Sequence, residues 1–246
     1  YLVPKGFSLG AYKMLAGDGE MWRAYLNTIL YTVPTTVLML VTSVLIAYPL
    51  TYKHLAGRKF VNMFLLIPMY FSGGMIPAFL LITKLKLYGS PLSQVLPVCF
   101  SIWNIILMKA FFSSIPEGLR EAAKIDGAGQ LRIFAQIILP ISKPIIATIA
   151  LFAAFGYWND WFQASLYISD KNLQTLQSML NNIQNNIEYI ANNPYGGLSL
   201  QQYKASMPTE SVRMAIAIII VVPIACVYPF FQKYFISGLT IGSVKG

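Results

Sequence analysis

The sequence predicts an all-α membrane protein with several spans. Hydrophobic residues make up 56% of the 246 positions and charged residues only 11%, and the mean hydropathy is +0.58. A soluble domain has roughly 25% charged residues, so this chain has too few of them to cover a surface that faces water. Apolar stretches long enough to cross a bilayer as helices recur along the chain. The predicted fold class is therefore a polytopic helical bundle.

Five stretches are long and apolar enough to be spans, because a helix needs about 20 such residues to cross the hydrocarbon core. They are residues 26–52, 60–83, 92–112, 144–168 and 213–235. Residues 1–24 are more polar and contain several glycines, which predicts a loop and a short surface helix that lead into the first of these spans from the outer face.

The second stretch is broken by proline and glycine at Pro68, Gly73, Gly74 and Pro77. A broken helix is tolerated in a membrane where its free backbone groups find neighbours or line a cavity. The pattern thus predicts a kink, which either shapes a transport pathway or serves packing alone.

The distribution of lysine and arginine predicts the orientation of the chain in the membrane. The short loop at 53–59 and the long loop at 109–143 are the most basic segments close to span ends, and such segments face the cytoplasm. Both loops and the C-terminus are then cytoplasmic, and residues 1–24 lie outside. The formal net charge of +9 fits cationic loops beside lipid headgroups, and no basic cluster interleaved with aromatic residues points to nucleic acid.

Residues 113–140, which we call the elbow, form a charged segment between two apolar stretches. Ser114 and Glu117 have the spacing of a capping box, with Pro116 inside the first turn of the helix that follows. Glycines at 127 and 129 then predict a turn, and a second short helix is predicted over 130–138, ending at Pro140. The elbow is either an amphipathic loop on the headgroups or a surface that a soluble protein grips.

An ionisable residue inside a span usually faces a cavity or a partner, and Asp160 stands inside such a segment with aromatic and amide neighbours. Sugar sites combine aromatic rings that stack on the sugar with polar groups that bind its hydroxyls. The candidates for a substrate pathway are Tyr157, Trp158, Asn159, Asp160 and Trp161, with Trp103 and Asn104 in the preceding span. The alternatives are an aromatic belt at the outer interface for the first group and an interhelical hydrogen bond for Asn104.

The long polar loop at 169–212 is predicted to lie on the outer face. Apolar residues recur at helical spacing over 173–191, which predicts an amphipathic helix there. Asparagine, proline and glycine predict a turn at 193–196.

The elbow also carries a family signature. Glu121-Ala122-Ala123, Gly127 after three residues, and Ile137-Ile138-Leu139-Pro140 after nine more resemble the EAA motif of permease subunits of bacterial ABC importers. The segments at 4–9, 207–215 and 238–246 are similar to carbohydrate-uptake permeases of the MalG and LplC type, so the resemblance extends along nearly the whole chain.

The resemblance implies a MetI-like type I importer permease with a six-span core, of which five spans are visible here and the first is missing. It places the transmembrane domain at 25–237 and a cytoplasmic tail at 238–246. The implied partners are a second related permease, two cytoplasmic ATPases that bind ATP and magnesium, and an extracytoplasmic solute-binding protein in a bacterial inner membrane. This chain would hold no cofactor or metal and would not be an enzyme, since it has no GxxxxGKS or GxxxxGKT loop for ATP.

The resemblance also implies a function and the residues that perform it. The elbow would be the coupling helix that seats in the ATPase, and the tail would reach between the two ATPases. The implied coupling residues are Glu121, Ala122, Ala123, Asp126, Gly127, Gly242, Lys245 and Gly246. The expected substrate is a sugar or an oligosaccharide, with an acidic one such as an alginate fragment as the narrower expectation. The alternative is a solute of another class, such as an amino acid or phosphate.

Overall fold

The computed structural model describes residues 9–17, 19–192 and 214–229, and within these it is helical with no strands. The first half contains α1 (Gly10–Ala16), α2 (Gly19–Ala47), α3 (Arg58–Tyr70), α4 (Met75–Lys84), α5 (Leu92–Val95), α6 (Ile102–Ser114) and α7 (Glu117–Ile125). The second half contains α8 (Gln130–Ile133), α9 (Leu139–Ile141), α10 (Lys143–Trp158), α11 (Phe162–Tyr167), α12 (Leu176–Asn192) and α13 (Met214–Pro229). The predicted all-α class is confirmed.

Helix α2 and the 3₁₀ turn Pro49–Thr51 that follows it form the one helix among the described residues that is long and apolar enough to cross a membrane unaided. It begins at Gly19, inside the segment 1–24 that we predicted as a lead-in. Half of its buried residues are small and polar, which lets neighbouring helices approach closely. These residues are Asn27, Thr28, Thr32, Thr35, Thr36 and Ser43. The most extensive contacts of α2 are with α10 and α6.

Three further spans are possible, each made of two helices with a bend between them. The pair Arg58–Tyr70 and Met75–Lys84 is bent by 114°, so our prediction of a kinked span at 60–83 understated the break. Gly74 has φ +85° at the bend, a conformation that only glycine adopts readily. The pair Leu92–Val98 and Ile102–Ser114 is bent by 45°.

The last pair joins the elbow to α10 with a bend of 70° between Ile141 and Lys143. The second helix of the elbow does not end at Pro140, as we predicted, but runs through a π-helical turn at Phe134–Ile138 to Ile141. Proline has no N–H to donate and its ring crowds the preceding turn, so the wider π turn just before it is the expected adjustment.

Helix α10 ends at Trp158, so the stretch 144–168 is not the single helix that we predicted. The outer helix predicted over 173–191 is observed as α12, preceded by the 3₁₀ turn Lys171–Leu173. The turn predicted at 193–196 and part of the span predicted at 213–235 lie outside the described residues.

Two clusters of buried apolar residues lie at opposite ends of α2. The first joins its Thr51 end to α6, the elbow and the start of α10, with Met39, Tyr48, Met108, Phe112, Ile133 and Ile149 at its centre. The second joins its Gly19 end to α1, α12, α13 and the end of α10, with Leu15, Met21, Trp158, Leu176 and Ile216 at its centre. The elbow and α12 are therefore at opposite ends of the bundle.

Candidate functional site: the elbow and the aromatic segment

The first helix of the elbow ends in a glycine turn that hydrogen bonds fix in place. The N–H of Gly127 donates to the carbonyl of Lys124 at 3.0 Å, and the N–H of Ala128 donates to the carbonyl of Ala123 at 2.9 Å. These two bonds form a Schellman motif, which requires a left-handed residue after the helix. Gly127 supplies it with φ +78°. The predicted meeting of two short helices at this glycine is confirmed.

The start of the same helix differs from our prediction. Pro116 is the N-cap residue and no side chain caps the helix, so the capping box predicted at Ser114 and Glu117 is wrong. Ser114 donates its hydroxyl to the carbonyl of Phe111 at 2.7 Å, and Glu117 pairs with Lys53 at 3.3 Å. The β-region backbone that proline imposes on the residue before it breaks the helical register between the two box positions.

The expected coupling residues lie together on α7 and its turn, but they face different ways. Glu121, Ala122, Asp126 and Gly127 are exposed. Ala123 is buried and packs in the same cluster as Ala128, the apolar contact that accompanies a Schellman turn. The three residues Gly242, Lys245 and Gly246 lie outside the described residues.

Two large apolar side chains of the elbow, which our prediction of coupling residues omitted, are almost fully exposed. Ile125 is 86% exposed and Leu131 is 83% exposed. Exposed apolar side chains within the spans are expected to face lipid, whereas these two flank the polar Gly127 turn. Large apolar side chains that stay exposed among charged residues outside the spans are candidates for a contact with another protein. Only the structure could reveal their exposure, because an apolar residue in a short helix can equally face the core.

Arg120 is a buried cation in α7 that sequence reasoning missed as well. It is 9% exposed and donates to the hydroxyl of Thr51 at 3.1 Å and to the carbonyl of Phe112 at 2.9 Å. Its guanidinium lies 5.6 Å from the ring centre of Tyr48 and 5.5 Å from that of Tyr52, within the range of cation–π attraction. The bonds attach α7 to the Thr51 end of the α2 segment and to α6.

The second helix of the elbow is attached to the same place. The hydroxyl of Tyr52 donates to the side-chain oxygen of Gln130 at 2.6 Å and lies 2.6 Å from the hydroxyl of Tyr48. Both halves of the elbow therefore bond to the turn that directly follows α2, in addition to their covalent connections. The ion pair of Lys53 with Glu117 adds little, because both side chains are mostly exposed and such pairs contribute at most about 1 kcal/mol.

Residues 157–161, which we call the aromatic segment, lie at the other end of the bundle. Most of their polar groups form hydrogen bonds with other residues of this chain. Tyr157 donates to the carbonyl of Val98 at 2.8 Å, and the indole of buried Trp158 donates to the carbonyl of Ile220 at 3.0 Å. Asn159 accepts from Gln177 at 3.0 Å. Trp161 is 44% exposed. These contacts place the segment where α10, α12 and α13 meet.

Asp160 holds the start of the next helix. Its carboxylate accepts from the N–H groups of Phe162 at 2.9 Å and Gln163 at 3.1 Å, as a capping side chain does, from one residue before the N-cap position Trp161. It also lines a polar cavity of about 20 Å³ beside Thr35 and Gln94. That volume accommodates about one water molecule and is too small for a sugar ring. A site large enough for a sugar ring at Asp160 would need a surface from another subunit.

The capping role of Asp160 gives a prediction. Asp160→Ala should destabilise the region by about 1 kcal/mol, because two backbone N–H groups lose their acceptor, whereas Asp160→Asn keeps an acceptor oxygen and should cost a few tenths. The measurement is the unfolding temperature and the import rate of each variant. If asparagine abolishes import while leaving stability intact, the charge itself acts on the substrate and the capping role is not the main one.

The other two expected pathway residues, Trp103 and Asn104, have different surroundings. Asn104 donates its amide to the sulfur of Met39 at 3.1 Å, an interhelical contact between α6 and α2 of the kind considered as its alternative role. Trp103 is 59% exposed. No hydrogen bond or ring contact joins either residue to the aromatic segment within the described part of the chain.

The Gly19 end of the bundle has a polar groove of about 370 Å³ between the start of α2 and α12. Its lining includes Glu20, Lys171, Gln174, Asn182 and Asn186. Amides of this kind both donate and accept hydrogen bonds, as hydroxyl-rich ligands and polar protein surfaces require. Across the described residues, no group of three or more His, Cys, Asp and Glu side chains is placed to hold a metal ion.

The comparison with protein families agrees with this architecture. The sequence profile for the inner membrane component of binding-protein-dependent transport systems matches residues 19–241. The chain belongs to this family. It is 39% identical to the protein LplC of Bacillus subtilis strain 168, over 100% of this chain and 82% of that one. It is 38% identical to the polygalacturonan/rhamnogalacturonan transport system permease YtcP of the same organism, over 100% and 84%.

Solved structures of related transporters have the same fold. One is a bacterial ABC transporter involved in the import of the acidic polysaccharide alginate, with a TM-score of 0.82 and 32% identity over 95% of this chain and 82% of that chain. Another is a bacterial alginate ABC transporter in complex with its periplasmic protein bound to an alginate pentasaccharide. Its TM-score is 0.62 over 92% of this chain and 82% of that one, and at 16% identity it supports the fold alone. The family permease is a transport component of the inner membrane, as the sequence predicted.

Proposed function

We propose that the chain is the permease subunit that lets a sugar or oligosaccharide cross the inner membrane inward, driven by separate ATPase subunits. The observation that carries the proposal is the structure of the elbow. Its glycine turn leaves Ile125 and Leu131 exposed at the protein surface, while Arg120 attaches α7 to the bundle. Family membership supplies the transport context. The sugar is favoured over other solutes because relatives are named for saccharide transport.

The elbow would face the cytoplasm and seat in a cleft of an ATPase. Glu121 and Asp126 would make charged contacts on the exposed rim, while Ile125 and Leu131 would fill apolar pockets, as central residues of protein interfaces do. When the ATPase pair closes on ATP, the elbow would move with it and a second permease would rock against this one. Such a motion opens a fixed central cavity alternately to each side. No part of this chain would perform the hydrolysis.

The opposite face would meet the solute-binding protein. Helix α12 and the polar groove beside Glu20 and Lys171 lie at the end of the bundle remote from the elbow. The substrate would pass between this chain and its partner permease, because the described residues enclose no cavity of sugar size near Asp160. The exposed rings of Trp103 and Trp161 would then be available to such a shared pathway.

The narrower proposal is an acidic oligosaccharide. It is supported by the 32% identical transporter of the acidic polysaccharide alginate and by the net charge of +9, which favours an anionic substrate. The same charge also fits cationic loops at the membrane surface, so the substrate needs a direct test.

The test is ATP hydrolysis and uptake by the assembled complex in proteoliposomes. Binding proteins loaded with neutral or acidic oligosaccharides are added in turn. We expect stimulation by saccharides, strongest with an acidic one, and no stimulation by amino-acid or phosphate carriers. Equal stimulation by neutral and acidic oligosaccharides would remove the narrower proposal. Stimulation by a non-sugar carrier alone would overturn the assignment to sugar import.

A further inference from the structure

Helix α2 is bonded to the outer helix at its Gly19 end. The amide of Asn27 donates to the carbonyls of Asn172 at 2.8 Å and Gln174 at 3.1 Å. The hydroxyl of Thr28 accepts from the N–H of Leu176 at 2.9 Å, and Tyr31 donates to the carbonyl of Leu173 at 3.1 Å. All three α2 side chains are buried. They hold the first turn of α12 and the segment just before it.

At the opposite end, the 3₁₀ turn that follows α2 is bonded to the elbow through Arg120, which donates to Thr51. Few side chains of α7 are buried, and Arg120 is the only charged one among them. Its partners are the neutral hydroxyl of Thr51, the carbonyl of Phe112 and two tyrosine rings. Among the described residues Arg120 makes no ion pair, and its two charge-assisted hydrogen bonds to neutral acceptors hold α7 in one position.

Helix α2 is uninterrupted over 29 residues, which corresponds to about 43 Å at 1.5 Å per residue. Pro34 lies inside it without ending it. The 3₁₀ turn Pro49–Thr51 continues the helix to the joint with Arg120. Each joint is set in a separate cluster of buried apolar residues. Close-packed clusters transmit displacement because they resist compression, so the two ends of α2 are mechanically linked.

We propose that Arg120 is a positioning residue that joins the elbow to α2, so that α2 carries displacement between the elbow and α12. Without this joint, α7 would lose its buried polar connection to the end of α2, and the elbow would be held there only by the Tyr52–Gln130 bond, the exposed Lys53–Glu117 pair and apolar packing. With it, the most central helix of the bundle moves with the elbow, and the outer helix moves with α2. The inference rests on the proposed function, because it assumes that an ATPase moves the elbow.

The test is a double-mutant cycle on the assembled complex, with Arg120→Met at one joint and Asn27→Ala at the other. Methionine fills a similar volume between the two tyrosine rings but makes neither hydrogen bond. The measurement is the ratio of ATP hydrolysis with and without the saccharide-loaded binding protein, normalised to assembled complex. We expect each single variant to lower this ratio about tenfold, within the usual range of coupling between sites. The ratio of the double variant should be no lower than that of the worse single variant. Once one joint is lost, α2 no longer connects the two ends, so losing the second joint has no further effect.

Two outcomes would overturn the inference: a wild-type ratio in Arg120→Met, or a double variant whose loss is the product of the two single losses. Lys59→Met is the matched control, since it removes an exposed cation of α3 and should leave the ratio unchanged. Arg120→Lys provides a second reading if the methionine variant does not assemble. It keeps the charge but cannot make the forked pair of bonds, so the ratio should fall several-fold, and a wild-type ratio would equally overturn the inference.

The experiment separates this inference from the function on which it rests. If a docking variant at Ile125 abolishes import while Arg120→Met and Arg120→Lys behave like the wild type, the elbow still couples and only the connecting role of α2 fails. If the docking variant imports normally, docking through the elbow fails, and with it the assumption on which this inference rests.

Discussion

Replacing Ile125 with glutamate is expected to lower import about a hundredfold or more while the permease still folds and inserts. The side chain is 86% exposed, so the change should alter the stability of the isolated permease by less than about 0.5 kcal/mol. In a docked complex the same position would be buried. The loss of about 1.5–3 kcal/mol of apolar burial, together with a desolvated carboxylate, would then break the contact.

The measurements are uptake in proteoliposomes and retention of the ATPase on the purified permease. Ile125→Met is the matched control, because it keeps the apolar volume at the same exposed position and should import normally. Leu131→Glu should reproduce the loss from the other side of the turn. If both glutamate variants retain the ATPase and import at the wild-type rate, the elbow is not the docking surface. A loss of membrane insertion without a loss of docking would instead favour a loop that lies on the headgroups.

Replacing Gly127 with alanine is expected to lower import about tenfold. The residue has φ +78° and an added Cβ would meet no atom within 4 Å, so the cost comes from backbone strain and not from a collision. A left-handed conformation costs an L-residue about 1–2 kcal/mol, which is a factor of about five to thirty in the population of the turn. The Schellman bonds to Lys124 and Ala123 would be lost with it.

The chain offers a matched control for this substitution in the same helix. Gly118 lies inside α7 with no atom near an added Cβ and with no positive φ. Gly118→Ala should therefore stabilise the helix by about 0.5–1 kcal/mol and leave import at or above the wild-type rate. Gly127→Asn should import better than Gly127→Ala, because asparagine tolerates the left-handed region. Uptake rates that rank alanine at 127 equal to alanine at 118 would contradict a role for this turn.

Local signals predicted the part of the fold that depends on local properties. The run of apolar residues in α2 predicted a span, since the requirement for about 20 such residues is set by the bilayer alone. The glycine at 127 predicted the turn of the elbow, because few other residues accept its backbone conformation. The spacing of apolar residues predicted α12 almost to its ends.

Other local signals were outweighed by neighbouring chemistry. Ser114 and Glu117 had the spacing of a capping box, but Pro116 between them starts the helix and leaves Ser114 outside it. The stretch 144–168 was apolar enough for one helix, yet the hydrogen bonds of Asp160 to the N–H groups of Phe162 and Gln163 start a new one. In both cases the composition was right for a helix and one residue set its boundary.

What the sequence by itself determined is the class of protein, the position of the elbow and the turn at Gly127, because these follow from hydropathy, charge and the allowed backbone of glycine. Only the tertiary structure decided that Arg120 is buried against Tyr48 and Tyr52 and that Ile125 and Leu131 point outward. Each of these depends on residues distant in the chain or on which face of a short helix is covered. The spacing of residues along the chain does not show which face of α7 is buried, because the end of α2 is what covers that face.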